Sequence, residues 1–151
     1  MHKTPNPSTT CPKHSIGTSA VPRPARIALV GHCGSDSRML RRVVERVFPV
    51  ADVAMVNDAV AAKAHAKRAD LLLVNRTLEG DFDTGFGLDL IRELLRLPEH
   101  RAALMLISDL GEAQTQAKAV GAVPGFGKSN ADSLDAAQRM CAAVEGVLAG
   151  Q

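Results

Sequence analysis

The residues able to do chemistry in this chain directly follow short apolar runs. Gly31, His32 and Cys33 come after Ile27 to Val30, Asn57 and Asp58 after Val53 to Val56, and Asn75 after Leu71 to Val74. Ser108 and Asp109 follow Leu104 to Ile107, and Lys128 closes the stretch VPGFGK at 123 to 128. An ammonium, a hydroxyl, an imidazole and the backbone N–H groups of the turn through Cys33, Gly34 and Ser35 could converge on a phosphate or a carboxylate. A Lys128 that hydrogen-bonds to Asn75 and fixes one conformation is the other arrangement open to the same residues. Cys33, just ahead of a helical pattern, is a candidate nucleophile activated at a helix N-terminus.

These positions acquire meaning from the elements around them. The apolar runs are nearly continuous, as in strands covered by helices on both faces, and they alternate with longer amphipathic segments. Leu40, Val43, Val44, Val47 and Phe48 form a helical stripe that stops at Pro49. Asp58 is placed to cap an Ala-rich second helix reaching about Arg68. Gly87 to Leu97 gives a third, ended by Pro98, and Glu112 to Val120 a weak fourth ended at Gly121. Ser133 to Leu148 reads as the last helix, burying Leu134, Ala137, Cys141, Val144 and Leu148. The fifth strand is poor, because two glycines and a proline interrupt it. In such an open sheet, ligands bind beyond the carboxyl ends of the strands, where the chemical residues fall.

Composition narrows the classes of function. A length of 151 residues with 46% hydrophobic and 23% charged residues predicts one globular domain. Three scattered cysteines, at 11, 33 and 141, suit a reducing compartment, so a cytoplasmic location is expected. No apolar run is long enough to span a bilayer, and no secretory signal is visible. Residues 1 to 25 read as a disordered leader rich in Pro, Ser and Thr, with the folded domain over 26 to 151. Lys3, Lys13, Arg23 and Arg26 carry the early charge without any acid; removing these four from the 18 basic residues leaves 14 against 16 acidic ones. A mildly acidic folded part without Tyr or Trp makes nucleic acid an unlikely partner.

Four features together resemble the receiver domain of two-component response regulators over about residues 26 to 149. They are the first strand with its short turn, GFGLDLIREL in the third helix, the hydroxyl residue after ALMLI, and Gly121 and Ala122 followed by Lys128. The resemblance implies a flavodoxin-like (CheY-like) α/β fold: a doubly wound, five-stranded parallel sheet in a three-layer α/β/α arrangement. It also implies a pocket of acidic residues after the first strand, a phosphoacceptor aspartate after the third, Ser or Thr after the fourth and lysine after the fifth. Here those places hold Gly31 with His32, Asn75, Ser108 and Lys128, so the pocket loses about three negative charges and keeps one positive charge relative to that pattern. An amide is a poor nucleophile and a weak cation ligand, so neither a Mg²⁺ site nor phosphorylation at Asn75 is expected, and no cofactor.

The resemblance further implies an aromatic residue three places before the lysine and a proline after it. Those positions are Gly125 and Ser129, and strand alternation would turn Phe126 to the other face. Asp81 and Asp83, in the enlarged loop EGDFDTGFG, read as solvated acids. The chain is therefore expected to be a stand-alone, atypical receiver that is not an enzyme and signals through protein contacts independent of phosphorylation. The partners implied are a histidine kinase or an effector protein, and a homodimer through the fourth helix, fifth strand and fifth helix, with no membrane contact.

Alternatives use the same residues differently. One is a sensor of small anionic ligands; another is a Cys33-dependent enzyme. The phosphate loop of low-molecular-weight tyrosine phosphatases needs five residues between cysteine and arginine, whereas Cys33 and Arg38 enclose four, and comparison with the phosphocysteine subunits of sugar transport systems is looser. Cys11, His14 and nearby His2 supply fewer ligands than the four a structural zinc ion takes. His65 falls on a helix face expected to be exposed.

Overall fold

The computed structural model describes residues 23 to 150. The readings made for residues 1 to 22, including Cys11, His14 and His2, lie outside this range. Five parallel strands form one sheet: β1 (Arg26–Val30), β2 (Asp52–Val56), β3 (Leu71–Asn75), β4 (Ala103–Ile107) and β5 (Val123–Phe126), in the spatial order β2-β1-β3-β4-β5. The helices are α1 (Gly34–Val47), α2 (Ala59–Arg68), α3 (Gly87–Leu95), α4 (Gly111–Val120) and α5 (Leu134–Ala149).

The continuous apolar runs split by side-chain parity, since successive strand residues point to opposite faces. Ile27, Leu29, Leu71, Leu73, Met105 and Ile107 meet the stripes of α1 and α5. Ala28, Val30, Leu72, Val74, Leu104 and Leu106 pack instead with α2, α3 and α4. Small residues let α2 approach closely: Ala62 and Ala66 are fully buried. Local chemistry ends the helices. Asp58 Oδ1 accepts from Ala61 N at 2.7 Å to start α2, Ser133 Oγ accepts from Ala136 N at 3.1 Å to start α5, and Gly121 closes α4 at φ 116°.

Two boundaries differ from the sequence reading. VPGFGK does not run as one strand: β5 stops at Phe126, and Lys128–Asn130 forms a 3₁₀ turn. Between Met105 paired with Val123 and Ile107 paired with Phe126, β5 spends one residue more than β4. This bulge, at the Pro124-Gly125 step, brings Val123 and Phe126 to the same core although they are three residues apart.

The folded part also begins before Arg26. Ala25 is fully buried, and Arg23, grouped above with the leader's charges, grips Asp70 with two hydrogen bonds of 2.9 and 2.8 Å. Asp70 is completely buried at the start of β3 and also accepts from Arg101 Nη2 at 2.9 Å and Arg26 N at 2.8 Å. A buried carboxylate requires such partners, and Arg23 supplies two of the donors. Burial opposes its ionisation, but the hydrogen bonds and the two guanidinium charges outweigh that, holding Asp70 below the usual carboxylate range.

Candidate functional site

A crevice of about 400 Å³ opens beyond the carboxyl ends of β1, β3, β4 and β5. Asn75, Ser108 and Lys128 line it together, as does Cys33 at its rim. The remaining charge on its walls comes from Asp36, Glu79, Asp109 and Arg76, so the crevice is not the acid-poor pocket expected from Gly31, His32 and Asn75 alone. Its acids stand on other elements: Asp36 in the first turn of α1, Glu79 in the loop after β3, Asp109 after β4.

Lys128 does not reach Asn75 for its bond; Nζ donates to Asp36 Oδ2 at 2.6 Å. That hydrogen bond is the leading reason the Asp36 carboxyl lies below its ordinary range. Asn75 is buried and donates both amide hydrogens to backbone, to Gly31 O at 2.9 Å and Thr77 O at 2.7 Å. Ser108 Oγ accepts from Leu110 N at 3.1 Å at the start of α4.

His32 is drawn away from the crevice. It is 3% exposed, and because a carbonyl can only accept, the 2.8 Å contact to Leu73 O makes Nε2 the protonated nitrogen. Nδ1 is buried with no hydrogen-bond partner. Burial is the main cause of a His32 pKa pushed down to about 4, with the Lys128 charge adding to it and the Leu73 carbonyl and Asp36 opposing. The imidazole is therefore neutral near pH 7 and does not join Lys128 and Ser108 around a common point. The convergence of Lys128, Ser108 and His32 on an anion, considered above, is not formed by these side chains.

Gly31 is occupied from above by the enlarged loop. Its φ is 76°, a region costly for side chains, and a Cβ there would lie 2.6 Å from Leu78 Cδ2. Backbone bonds stitch the loop across the strand ends: Glu79 N to Gly31 O at 2.9 Å, Asp81 N to Asn57 O at 2.8 Å and Leu78 N to Gly85 O at 2.9 Å. Asp81 and Asp83 are exposed and outside the crevice lining.

Gln114 is a residue the sequence reading missed. From α4 it donates to Leu106 O at 2.9 Å and Ser108 O at 3.1 Å, and accepts from Gly125 N at 3.2 Å, completing the hydrogen bonds that the β5 bulge breaks. A Cβ at Gly125 would run into Leu106 O and the Gln114 amide, so this position has no space for a ring. Phe126, one residue on, is buried with α1 and α5. The signal available in sequence was only a polar residue in a weakly amphipathic helix. Asp109 accepts from Ser129 Oγ at 2.6 Å, tying the turn after β4 to the turn after β5. Cys33 is exposed at the N-cap of α1, with Sγ 3.5 Å from Ser35 Oγ, and the adjacent imidazole is committed to Leu73 O.

Sheet order, helix layers and crevice define a receiver-type α/β domain. No family model matches the chain, and no curated protein does. Among solved structures it is similar to a two-component response regulator of the LuxR family from Aurantimonas sp. SI85-9A1, at 25% identity over 85% of this chain and 88% of that one, with a TM-score of 0.58. The signal receiver domain of a protein described as a Luxo repressor from Vibrio parahaemolyticus superposes with a TM-score of 0.67, at 16% identity over 85% and 95% of the two chains. A response regulator protein from Burkholderia pseudomallei, with a phosphorylated aspartic acid, calcium ion and citrate, gives 0.56, at 21% identity over 82% and 72%. The fold is that of response-regulator receiver domains, CheY-like and flavodoxin-like, and it supports a signalling role; such domains are generally non-enzymatic and work with kinases and effectors. No helix among the described residues is long and apolar enough to cross a membrane.

Proposed function

We propose that this chain is a receiver-type signalling module that works through protein contacts without aspartyl phosphorylation. The observation that carries the reading is the Asn75 amide, whose Nδ2 donates to Gly31 O and Thr77 O. A carboxylate has no hydrogens for those two carbonyls, so the amide serves as a structural donor where an acceptor aspartate would stand. Phosphoryl transfer to an aspartate requires a carboxylate oxygen to form the new O–P bond, and an amide oxygen is a poor nucleophile.

The residues present do not fit the Mg²⁺ that the receiver pattern implies. Hard cations take oxygen ligands, chiefly carboxylates. Gly31 has no side chain and lies under Leu78, His32 is turned to Leu73 O, the Asp36 carboxylate is paired with Lys128, Asp109 accepts from Ser129 Oγ, and Glu79 stands exposed in the loop after β3. Output would pass through the face of α4, β5 and α5 that receivers commonly use. On that face Lys118 is exposed, whereas Arg139 donates to Gly125 O and pairs with Asp135, so Lys118 is the cleaner position to alter.

Intact-mass measurement after incubation with acetyl phosphate and Mg²⁺ tests this reading. An unchanged mass is expected. A magnesium-dependent phosphoryl adduct mapping to the crevice would overturn it.

A further inference from the structure

The two outer strands of the sheet are finished differently. The order β2-β1-β3-β4-β5 leaves β2 and β5 with one neighbour each. An open row of N–H and C=O groups is a template for any extended chain that reaches it, and proline, bulges and covering groups blunt it. β5 is blunted in all these ways. Pro124 carries no N–H, the strand is bulged, and Gly125 donates its N–H to Gln114 and accepts at its carbonyl from Arg139. β2 is not: its residues pair with β1 in unbroken register, without proline or glycine.

Alternation decides which groups of β2 are open. Asp52 N donates to Ala25 O at 2.8 Å and Val56 O accepts from Gly31 N at 2.9 Å, so Asp52, Ala54 and Val56 turn their main chain toward β1. Val53 and Met55, out of phase, turn theirs away from the sheet, and no hydrogen bond among the described residues takes them. Side chains alternate as well. Val53 joins the core under α1, and Met55 on the same face is 47% exposed. Ala54 points to the α2 face, where a cavity of about 350 Å³ beside it is lined also by Arg26, Asp52, His65 and Arg68. Arg26 and Arg68 are exposed, and neither guanidinium has a hydrogen bond or ion pair within the described residues. His65 is held below its ordinary range by burial and adds no charge near pH 7, so two cations face the single carboxylate of Asp52.

That charge selects the occupant. Residues 1 to 22 contain no acid. Antiparallel pairing of β2 with a second copy would put two α2 helices on one face of the joined sheet, each with Lys63, Lys67 and Arg68 exposed and no acid of its own.

We propose that the β2 edge takes up an extended acidic segment of a partner protein as an added strand. Its main chain would bond to Val53 and Met55, its acidic residues would point toward Arg26 and Arg68, and the apolar residues alternating with them would lie against Met55. This edge is at the opposite side of the sheet from β5, so it is a contact surface additional to the face of α4, β5 and α5. The inference rests on the reading of a protein-contact module only for the class of partner.

A displayed library of random linear peptides, selected on the full chain, provides the probe. Enriched sequences should alternate apolar and acidic residues. A synthetic copy of the best one should slow amide exchange at Val53 and Met55 at least about tenfold, because those hydrogens are bonded only in the complex. Arg68→Glu should weaken that peptide at least about tenfold and turn selection toward basic sequences. Met55→Pro removes an outward N–H that the fold does not use and should abolish binding; thermal melting checks that it folds, and Arg68→Glu carries the test if it does not. Failure to enrich alternating acidic peptides, unchanged exchange at Val53 and Met55 in the peptide complex, or a dimer of the unmodified chain that protects the same two amides would overturn the proposal, the last by giving the edge to a second copy. Phosphorylation of the crevice would overturn the functional reading while leaving this measurement unaffected.

Discussion

The two ends of the sheet hold their charges in opposite ways. At the amino edge, Asp70 is wholly buried and shared between Arg23 and Arg101. At the carboxyl edge, Lys128 and Asp36 form a single pair whose side chains are 29% and 31% exposed. The first arrangement is built into the core, whereas the second lines a crevice open to solvent. The same charge chemistry therefore carries unequal weight: removing one partner of a buried pair strands the other in low dielectric, while members of a half-exposed pair are rehydrated.

The largest expected effect of a substitution is accordingly at Asp70. Asp70→Asn should destabilise the fold by about 3 kcal/mol in chemical denaturation, and a loss below about 1 kcal/mol would remove the distinction between the two edges. Acid should expose a further contrast, set by His32. Its pKa of about 4 lies below the ordinary histidine value, so from about pH 6.5 down to 4 the unfolded chain takes up a proton that the folded chain refuses. Stability should fall by about 3 kcal/mol across that window, and His32→Gln should flatten the slope there. His65, also depressed by partial burial, acts in the same direction, so His65→Gln serves as the comparison. Asp70 contributes below that window, because stability held by a depressed carboxyl is lost as pH falls through its folded value.

Gly31→Asp, which introduces an acid at the carboxyl edge, should cost about 2 kcal/mol because its backbone is left-handed and Leu78 fills the side-chain space. Thermal melting reads this directly, and an unchanged midpoint would show that the loop yields. The smallest effect belongs to Asp36→Asn, expected to cost less than about 1 kcal/mol and to be sensitive to salt in the parent protein. A loss as large as that at Asp70 would place the crevice pair in the same energetic class as the buried cluster.

Much of this architecture was readable in sequence because strand and helix periods are local. The runs at Ile27, Leu71 and Leu104, the stripe from Leu40 to Val47 and the caps at Asp58 and Gly121 all act over a few residues. The crevice was legible only in part. Asn75, Ser108 and Lys128 could be placed at strand ends, but the partner of Lys128 could not, since Asp36 lies 92 residues away and reaches it from α1. His32 was legible as a residue after β1 and illegible as a buried donor to Leu73 O. Gln114 showed only as a polar residue in a weak helix and Leu78 gave no signal, because bridging a bulge and covering a glycine depend on elements distant in the chain.

By itself, the sequence determined an alternating α/β chain, the strand ends where chemistry collects, and an amide, Asn75, at the end of the third apolar run. Only tertiary structure decided that Arg23 belongs to the domain, that Lys128 is spent on Asp36, that His32 is withdrawn and that a loop closes over Gly31. The physical reason is range: hydrophobic period and helix capping are settled between near neighbours, whereas burial, pairing of charges and the filling of space depend on which distant segments the fold brings together.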